Sequence, residues 1–305
     1  MPEPVEADES DYEAFVSLRQ RRVPEGRFIG DGIRVVRRIL ESDVAMERML
    51  MTREWREKLA ALIEQRSEPA LRVRVAPKER LSEVVGFDLH QGVMAMARIP
   101  EPAPVDAVRR GKRSPLFVAL DGLSNAENVG AVVRSCAAFG ADGIFVGPHT
   151  TSPWMRRAVR ASLGGVLRMP VWEVPDLAAT LRDLAGAFPQ GLPSVVSYAA
   201  HIHGERIDIA AADVSGPVCL VLGGEAKGVS DPVIAACRAT VYIPMSGDWD
   251  CLNVTAATAV LLYAAARGRG TGASKRSLDW QKKEGWNSED QDDEEIHDKE
   301  RGREA

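Results

Sequence analysis

The chain has little from which to build a metal site or a disulfide framework. Its 305 residues hold four cysteines, Cys136, Cys219, Cys237 and Cys251, with no Cys-x-x-Cys pair and no neighbouring histidine at ligand spacing. The first three fall in apolar runs and read as small core residues, which suits a reducing cytosol. Long hydrophobic runs are missing too. Nothing approaches the ~20 apolar residues of a membrane-spanning helix, and the acidic N-terminus lacks the apolar centre of an export signal. These absences predict a cytoplasmic protein without a membrane partner. Nucleotide-phosphate loops are also lacking. In Gly223-Gly224-Glu225-Ala226-Lys227-Gly228 the lysine precedes the glycine, which breaks the Walker order, and Gly-x-Gly-x-x-Gly does not occur.

An excess of positive charge is absent as well, the formal net charge being −5, but the distribution says more than the sum. Met1 to Glu13 and Asn287 to Ala305 together carry −12, so Ala14 to Trp286 carries +7. A basic body between acidic ends fits an RNA partner, because phosphate contacts need local Lys and Arg and not a high isoelectric point. The basic runs are Arg19-Gln20-Arg21-Arg22, Arg34 with Arg37 and Arg38, Arg109-Arg110-Gly111-Lys112-Arg113, and Arg156-Arg157 with Arg160. Any one of them is equally what a solvated surface carries.

The length and the 45% apolar content predict about two domains. Residues 1–25 are highly charged and read as mobile. Residues 26–100 read as a small α/β unit, with helices at 33–40 and 53–65 and strands near 48–51, 71–75 and 93–97. The segment 101–114, broken by Pro102, Pro104 and Gly111, reads as a linker. From 115 to 271, apolar strand runs (116–120, 143–146, 166–171, 194–198, 218–222, 240–243) alternate with helical patterns (130–139, 154–162, 177–184, 231–237, 252–267). That alternation predicts a parallel sheet covered by helices on both faces. The remainder, 272–305, is glycine-rich and then charged, and reads as a disordered tail.

Three loops in this second domain stand out, each at a strand end before a helix. The first runs Asn125-Ala126-Glu127-Asn128-Val129-Gly130 and on to Arg134, with Asn128 a candidate N-cap. Packing does not explain a guanidinium between Val133 and Ser135, although a surface ion pair would. In the second, Gly223-Gly224 at the end of Val218–Leu222 lets backbone approach a ligand closely; two glycines alone mean only a tight turn, and Glu225 can equally accept loop amides. The third leads from Ile243-Pro244-Met245 to Cys251-Leu252-Asn253-Val254-Thr255, with Asn253 expected in the first turn of a strongly apolar helix.

In this order the three loops resemble the motifs of the SpoU/TrmH family, knotted S-adenosylmethionine-dependent enzymes of the SPOUT superfamily that methylate ribose 2′-hydroxyls of RNA. Phe28 to Ile33 and His90-Gln91-Gly92-Val93 similarly resemble the ribosomal-protein-like RNA-binding domain that precedes the catalytic domain in many members, with Asp31 where Glu is more usual. The resemblance implies catalytic roles for Asn128, Arg134, Glu225 and Asn253. It implies contacts to S-adenosyl-L-methionine from Gly223, Gly228, Ile243, Met245 and Leu252. It implies a trefoil knot, a homodimer with the pocket near its interface, and a substrate of ribosomal rather than transfer RNA. An arginine keeps its proton under ordinary conditions, so Arg134 is expected to hold substrate phosphate and stabilise charge on the attacking oxygen. Cys251 departs from the family's serine and is a poorer hydrogen-bond donor. That departure leaves open a catalytically inactive RNA-binding protein of the same fold, and a base-methylating enzyme is a further alternative.

Overall fold

The computed structural model describes residues 4–16, 25–66, 68–86, 89, 91–111, 114–186, 192, 194–202, 205–247 and 251–267. The arginine run at 19–22, His90, Lys112, Arg113 and the expected tail from 272 lie outside the described residues.

The N-terminal sheet holds β1 (Arg27–Asp31), β2 (Met46–Met51), β3 (Arg72–Val75) and β4 (Val93–Arg98) in the order β1-β4-β2-β3. β4 runs antiparallel to both of its neighbours, and β2 and β3 are parallel. Period-two alternation in β4 feeds two cores. Val93, Ala95 and Ala97 join Val35, Val36 and Ile39 of α2 (Ile33–Leu40), whereas Met94 and Met96 face Leu81 and Val85 of α5 (Lys78–Val85). The stretch expected to be mobile contributes to the second core. Within it, α1 (Glu9–Val16) buries Tyr12 and Phe15, and its buried Asp11 pairs with Arg48 at 3.3 Å and Arg74 at 3.0 Å. High charge there reflects ion pairing and not freedom. The helix expected over 53–65 divides into α3 (Arg53–Lys58) and α4 (Ala60–Glu64) at the buried Leu59, whose ψ of 3° leaves the helical region. The segment 101–114 carries α6 (Val105–Arg110), and Trp172 Nε1 donates to the Ala103 carbonyl at 2.9 Å.

The second sheet holds β5 (Leu116–Asp121), β6 (Gly143–Val146), β7 (Val171–Glu173), β8 (Val196–Ala200), β9 (Ile207–Asp208), β10 (Val218–Gly223) and β11 (Ala239–Tyr242). Its order is β7-β6-β5-β10-β8-β11-β9, and every pairing is parallel, as the apolar runs implied. One layer of helices comprises α7 (Ala126–Phe139), α8 (Arg156–Ala161) and α11 (Val254–Arg267). Residues of α7, α8 and α11 share one core with β5 and β10. α9 (Leu177–Ala185) and α10 (Asp231–Ala236) cover the opposite face. α7 and α8 touch at Gly130, where an added Cβ would lie 2.4 Å from the Ala158 carbonyl oxygen, so no larger residue allows that approach. The first half of the strand expected at 166–171 is a 3-10 turn (Gly165–Arg168), and β7 begins only at Val171; Leu163 and Gly164 take φ of 52° and 73° and bend the chain just before the turn.

The two sheets are not independent. Both belong to one compact unit, and a single apolar cluster runs from Phe28 and Val36 through Trp154 to Leu116 and Leu220. Phe28 and Trp154 meet with ring centroids 5.0 Å apart. Beside them Asp31, 3% exposed at the end of β1, accepts from Arg156 at 2.9 Å and Arg160 at 3.5 Å of α8.

Candidate active site

The first two motif loops leave the second sheet where strand order reverses. β5 is followed in the chain by β6 on one side, and its other neighbour is β10, so the loops leaving β5 and β10 diverge from adjacent strand ends. Asp121 joins them. Its carbonyl accepts from Gly224 N at 3.0 Å, and its carboxylate Oδ2 accepts from Ser230 N at 2.7 Å. Gly228 N donates to the Gly224 carbonyl at 2.8 Å, closing the 223–228 loop on itself with Gly228 at φ 64°. An added Cβ on Gly223 would lie 2.0 Å from the Gly228 carbonyl carbon. Those two glycines are therefore needed by the loop's own fold, and Gly223 is only half-buried at the carboxyl end of the strand.

The first and second loops are bonded directly. Asn128 Nδ2 donates to Glu225 Oε1. The cap of α7 is Asn125 and not Asn128: Asn125 Oδ1 accepts from Asn128 N at 3.0 Å, which places Asn128 in the first turn with its side chain released for Glu225. The third loop carries its own correction. Asn253 precedes α11 as its cap, its Oδ1 accepting from Thr255 N at 2.9 Å and from Thr255 Oγ1 at 2.6 Å, and its carbonyl accepting from Ala257 N at 2.9 Å. The polar bonds described for the Asn253 side chain are thus spent on its own helix.

Ile243 and Met245 leave the end of β11, both half-buried, and Leu252 is 42% exposed. β11 stands two strands from β10, so their ends are about 10 Å apart. β8 lies between them, and the apolar Ile243, Met245 and Leu252 and the glycine loop 223–228 leave this one end of the sheet.

Arg134 is placed differently. Six residues along a helix carry it about 9 Å beyond Asn128 and about 120° round the axis. Among the described residues it makes no hydrogen bond to Glu225, Leu252 or Asn253. Its Cα lies 3.6 Å from where a Cβ on Gly165 would stand, facing the 3-10 turn. Asn128 and Glu225 thus form one group and Arg134 another. Between the first turn of α7 and α8, an open concavity of ≈ 310 Å³ is lined by Glu127, Arg156, Arg157, Arg160 and Ala161. Arg157 pairs there with Glu127 at 3.6 Å.

Asp121 and Thr150 were not expected at the site. Thr150 Oγ1 accepts from Gly122 N at 2.8 Å and donates to the Leu120 carbonyl at 3.1 Å, holding the first loop's start. Asp121 had a signal, a carboxylate closing a buried apolar run. Thr150 had none, its partner lying 28 residues away in sequence. Cys136 and Cys219 are buried as expected and Cys237 is half-buried: burial pushes the Cys136 and Cys219 thiols well up, and burial, then the Asp121 carboxylate, pushes Cys237 up to about 12. Cys251 is exposed in the third loop. Among the described residues no His, Cys, Asp and Glu cluster that could hold a metal is present, and no helix is long and apolar enough to cross a membrane.

Residues 115–263 match the SpoU rRNA Methylase family, and residues 32–103 match the RNA 2′-O ribose methyltransferase substrate-binding family. The chain is 29% identical over 244 residues to the 23S rRNA (guanosine-2′-O-)-methyltransferase RlmB of Acinetobacter baylyi, covering 78% of this chain and 96% of that protein. It is 33% identical over 218 residues to an uncharacterized tRNA/rRNA methyltransferase of Mycobacterium avium, covering 70% and 68%. Among solved structures, an AdoMet-bound rRNA methyltransferase from Sinorhizobium meliloti matches with a TM-score of 0.70 and 25% identity, over 87% of this chain and 97% of that one. The AviRb methyltransferase of Streptomyces viridochromogenes, at 22% identity and a TM-score of 0.70 over 85% and 98%, shares the fold.

Proposed function

Because the chain belongs to the SpoU rRNA methylase family, it is an S-adenosylmethionine-dependent RNA ribose 2′-O-methyltransferase, and we propose that its substrate is structured ribosomal RNA. The observation that carries the reading is the Asn128–Glu225 bond, which brings the first two motifs together at the strand-order reversal. When bound, S-adenosylmethionine supplies an electrophilic methyl on a positively charged sulfur. Gly223, Gly228, Ile243, Met245 and Leu252 hold it along the carboxyl ends of β10 and β11. The chain's own residues then have to orient a ribose hydroxyl, a poor nucleophile near neutral pH, and stabilise the charge that grows on its oxygen. Asn128 and Glu225 act at the methyl donor, Arg134 grips the phosphate next to the ribose, and Asn253 shapes the pocket by fixing the start of α11.

Arg134 faces away from Asn128 within one chain, which supports a homodimer in which the partner's loops complete the site. The exposed Leu252, Val260 and Tyr263, the last 54% exposed on α11, supply an apolar face for it. The lack of a spanning helix among the described residues is compatible with the cytoplasm, where ribosomal RNA is found. Incubation with methyl-labelled S-adenosylmethionine and either ribosomal or transfer RNA, followed by nucleoside analysis, tests the proposal. Label in 2′-O-methyl nucleosides of ribosomal RNA is expected. Label in base-methylated nucleosides, or in transfer RNA alone, would refute it.

A further inference from the structure

Around the 3-10 turn, three arginines from three elements of the fold meet. Arg38, on the exposed side of α2, donates through Nη1 to the Leu163 carbonyl. Its Cδ lies 3.4 Å from where a Cβ on Gly164 would stand, and the next residue, Gly165, abuts Arg134 of α7. Arg168 ends the same turn. All three side chains are exposed, and Arg34 sits one turn before Arg38 on α2. Glu41, the acid that bears on Arg38, is engaged by Arg37 at 3.1 Å. Desolvation, and then the charges of Arg168 and Arg134, hold the Arg38 guanidinium below its ordinary value. Like charges gathered this way favour an incoming anion, and guanidiniums match phosphate oxygens in pairs.

We infer that Arg38, Arg134 and Arg168 form one subsite for a backbone phosphodiester of the substrate RNA, so that the N-terminal sheet supplies part of the grip on the strand being methylated. The inference rests on the proposed activity, which gives Arg134 its phosphate. Arg38 and Arg168 contact the phosphodiester directly, beside Arg134. Arg38 is held in place by the Leu163 carbonyl, and the Asp31 pairs with Arg156 and Arg160 tie the end of β1, just before α2, to α8 nearby. The subsite therefore exists only while the two sheets are docked.

The test is filter binding of transcribed 23S ribosomal RNA across a salt series, without S-adenosylmethionine. For Arg38→Ala and for Arg168→Ala, the slope of log affinity against log salt should shrink by about 0.7 to 0.9, with an affinity loss of about tenfold near physiological salt. Arg38→Lys should recover the slope but not all of the affinity. Arg182→Ala, exposed on α9 at the opposite face of the second sheet, should leave the slope near wild type. In turnover, the KM for RNA should rise while S-adenosylmethionine affinity stays unchanged. A wild-type slope in Arg38→Ala and Arg168→Ala, or an equal loss in Arg182→Ala, overturns the subsite. A wild-type protein that binds RNA but transfers no methyl overturns the proposed activity instead, and the slopes still decide the subsite.

Discussion

Replacing Asp31 with alanine is expected to loosen the junction between the two sheets. The carboxylate is 3% exposed, and its main partner Arg156 is only 18% exposed, at 2.9 Å. Removing one member of such a pair strands the other charge and costs about 3–5 kcal/mol. Arg160, 50% exposed and at 3.5 Å, adds at most about 1 kcal/mol. Asp31 Oδ1 is buried without a hydrogen-bond partner, so part of the carboxylate's desolvation is already uncompensated in the native protein. The low end, about 3 kcal/mol, is therefore expected, and for a chain of this size it corresponds to a fall in Tm of roughly 6–12 °C. Urea unfolding followed by tryptophan fluorescence measures it, with Trp154 against Phe28 reporting from the junction itself. Arg156→Ala should lose a similar amount. The double variant should lose less than the sum of the two by about 0.5–3 kcal/mol. A loss below about 1 kcal/mol for Asp31→Ala, or strict additivity in the double variant, would refute the buried-pair reasoning.

Glu225→Ala removes the acceptor of Asn128 and should lower methyl transfer by about tenfold to a hundredfold, with Glu225→Gln, which keeps a carbonyl acceptor, recovering part of it; equal rates for all three proteins in a labelled-methyl assay would contradict the bond's role. Asn253→Ala removes the α11 cap and should cost about 1 kcal/mol in thermal unfolding, with Asn253→Ser restoring most of it. Because Cys136, Cys219 and Cys237 have thiol pKa values raised above the ordinary 9.0, the unfolded chain releases these protons first. Stability should therefore be intact below about pH 9 and fall towards pH 12, by up to about 1.4 kcal/mol per pH unit for each thiol, and a urea midpoint unchanged between pH 8.5 and 10.5 would count against their burial.

The parallel sheet was legible because its strands are buried on both faces and read as unbroken apolar runs, Val218 to Leu222 most plainly. The helices of that domain were legible to within a few residues through their 3.6-residue apolar period. Caps were harder. Asn125 and Asn128 are the same residue type three positions apart, and which of them caps α7 depends on Glu225, 97 residues from Asn128. α1 was missed because its charges signal disorder until Arg48 and Arg74 are seen around Asp11. The strand expected at 166–171 failed at Leu163, where a left-handed backbone in a non-glycine residue leaves no mark in composition. The closeness of the first two motif loops was legible in their order, but the separation of Arg134 from Asn128 and its company with Arg38 were not, since the latter joins residues of different domains.

The pairing of Leu116 with Val218 has a consequence for how the protein is made. When a growing chain has emerged only as far as β8, β5 still offers a bare edge, a template on which foreign strands can add. The Asn128–Glu225 bond comes into being only once β10 fills that gap, which is a late and long-range closure. Fragments that stop short of it should be inert and prone to aggregate, whatever the state of their N-terminal sheet.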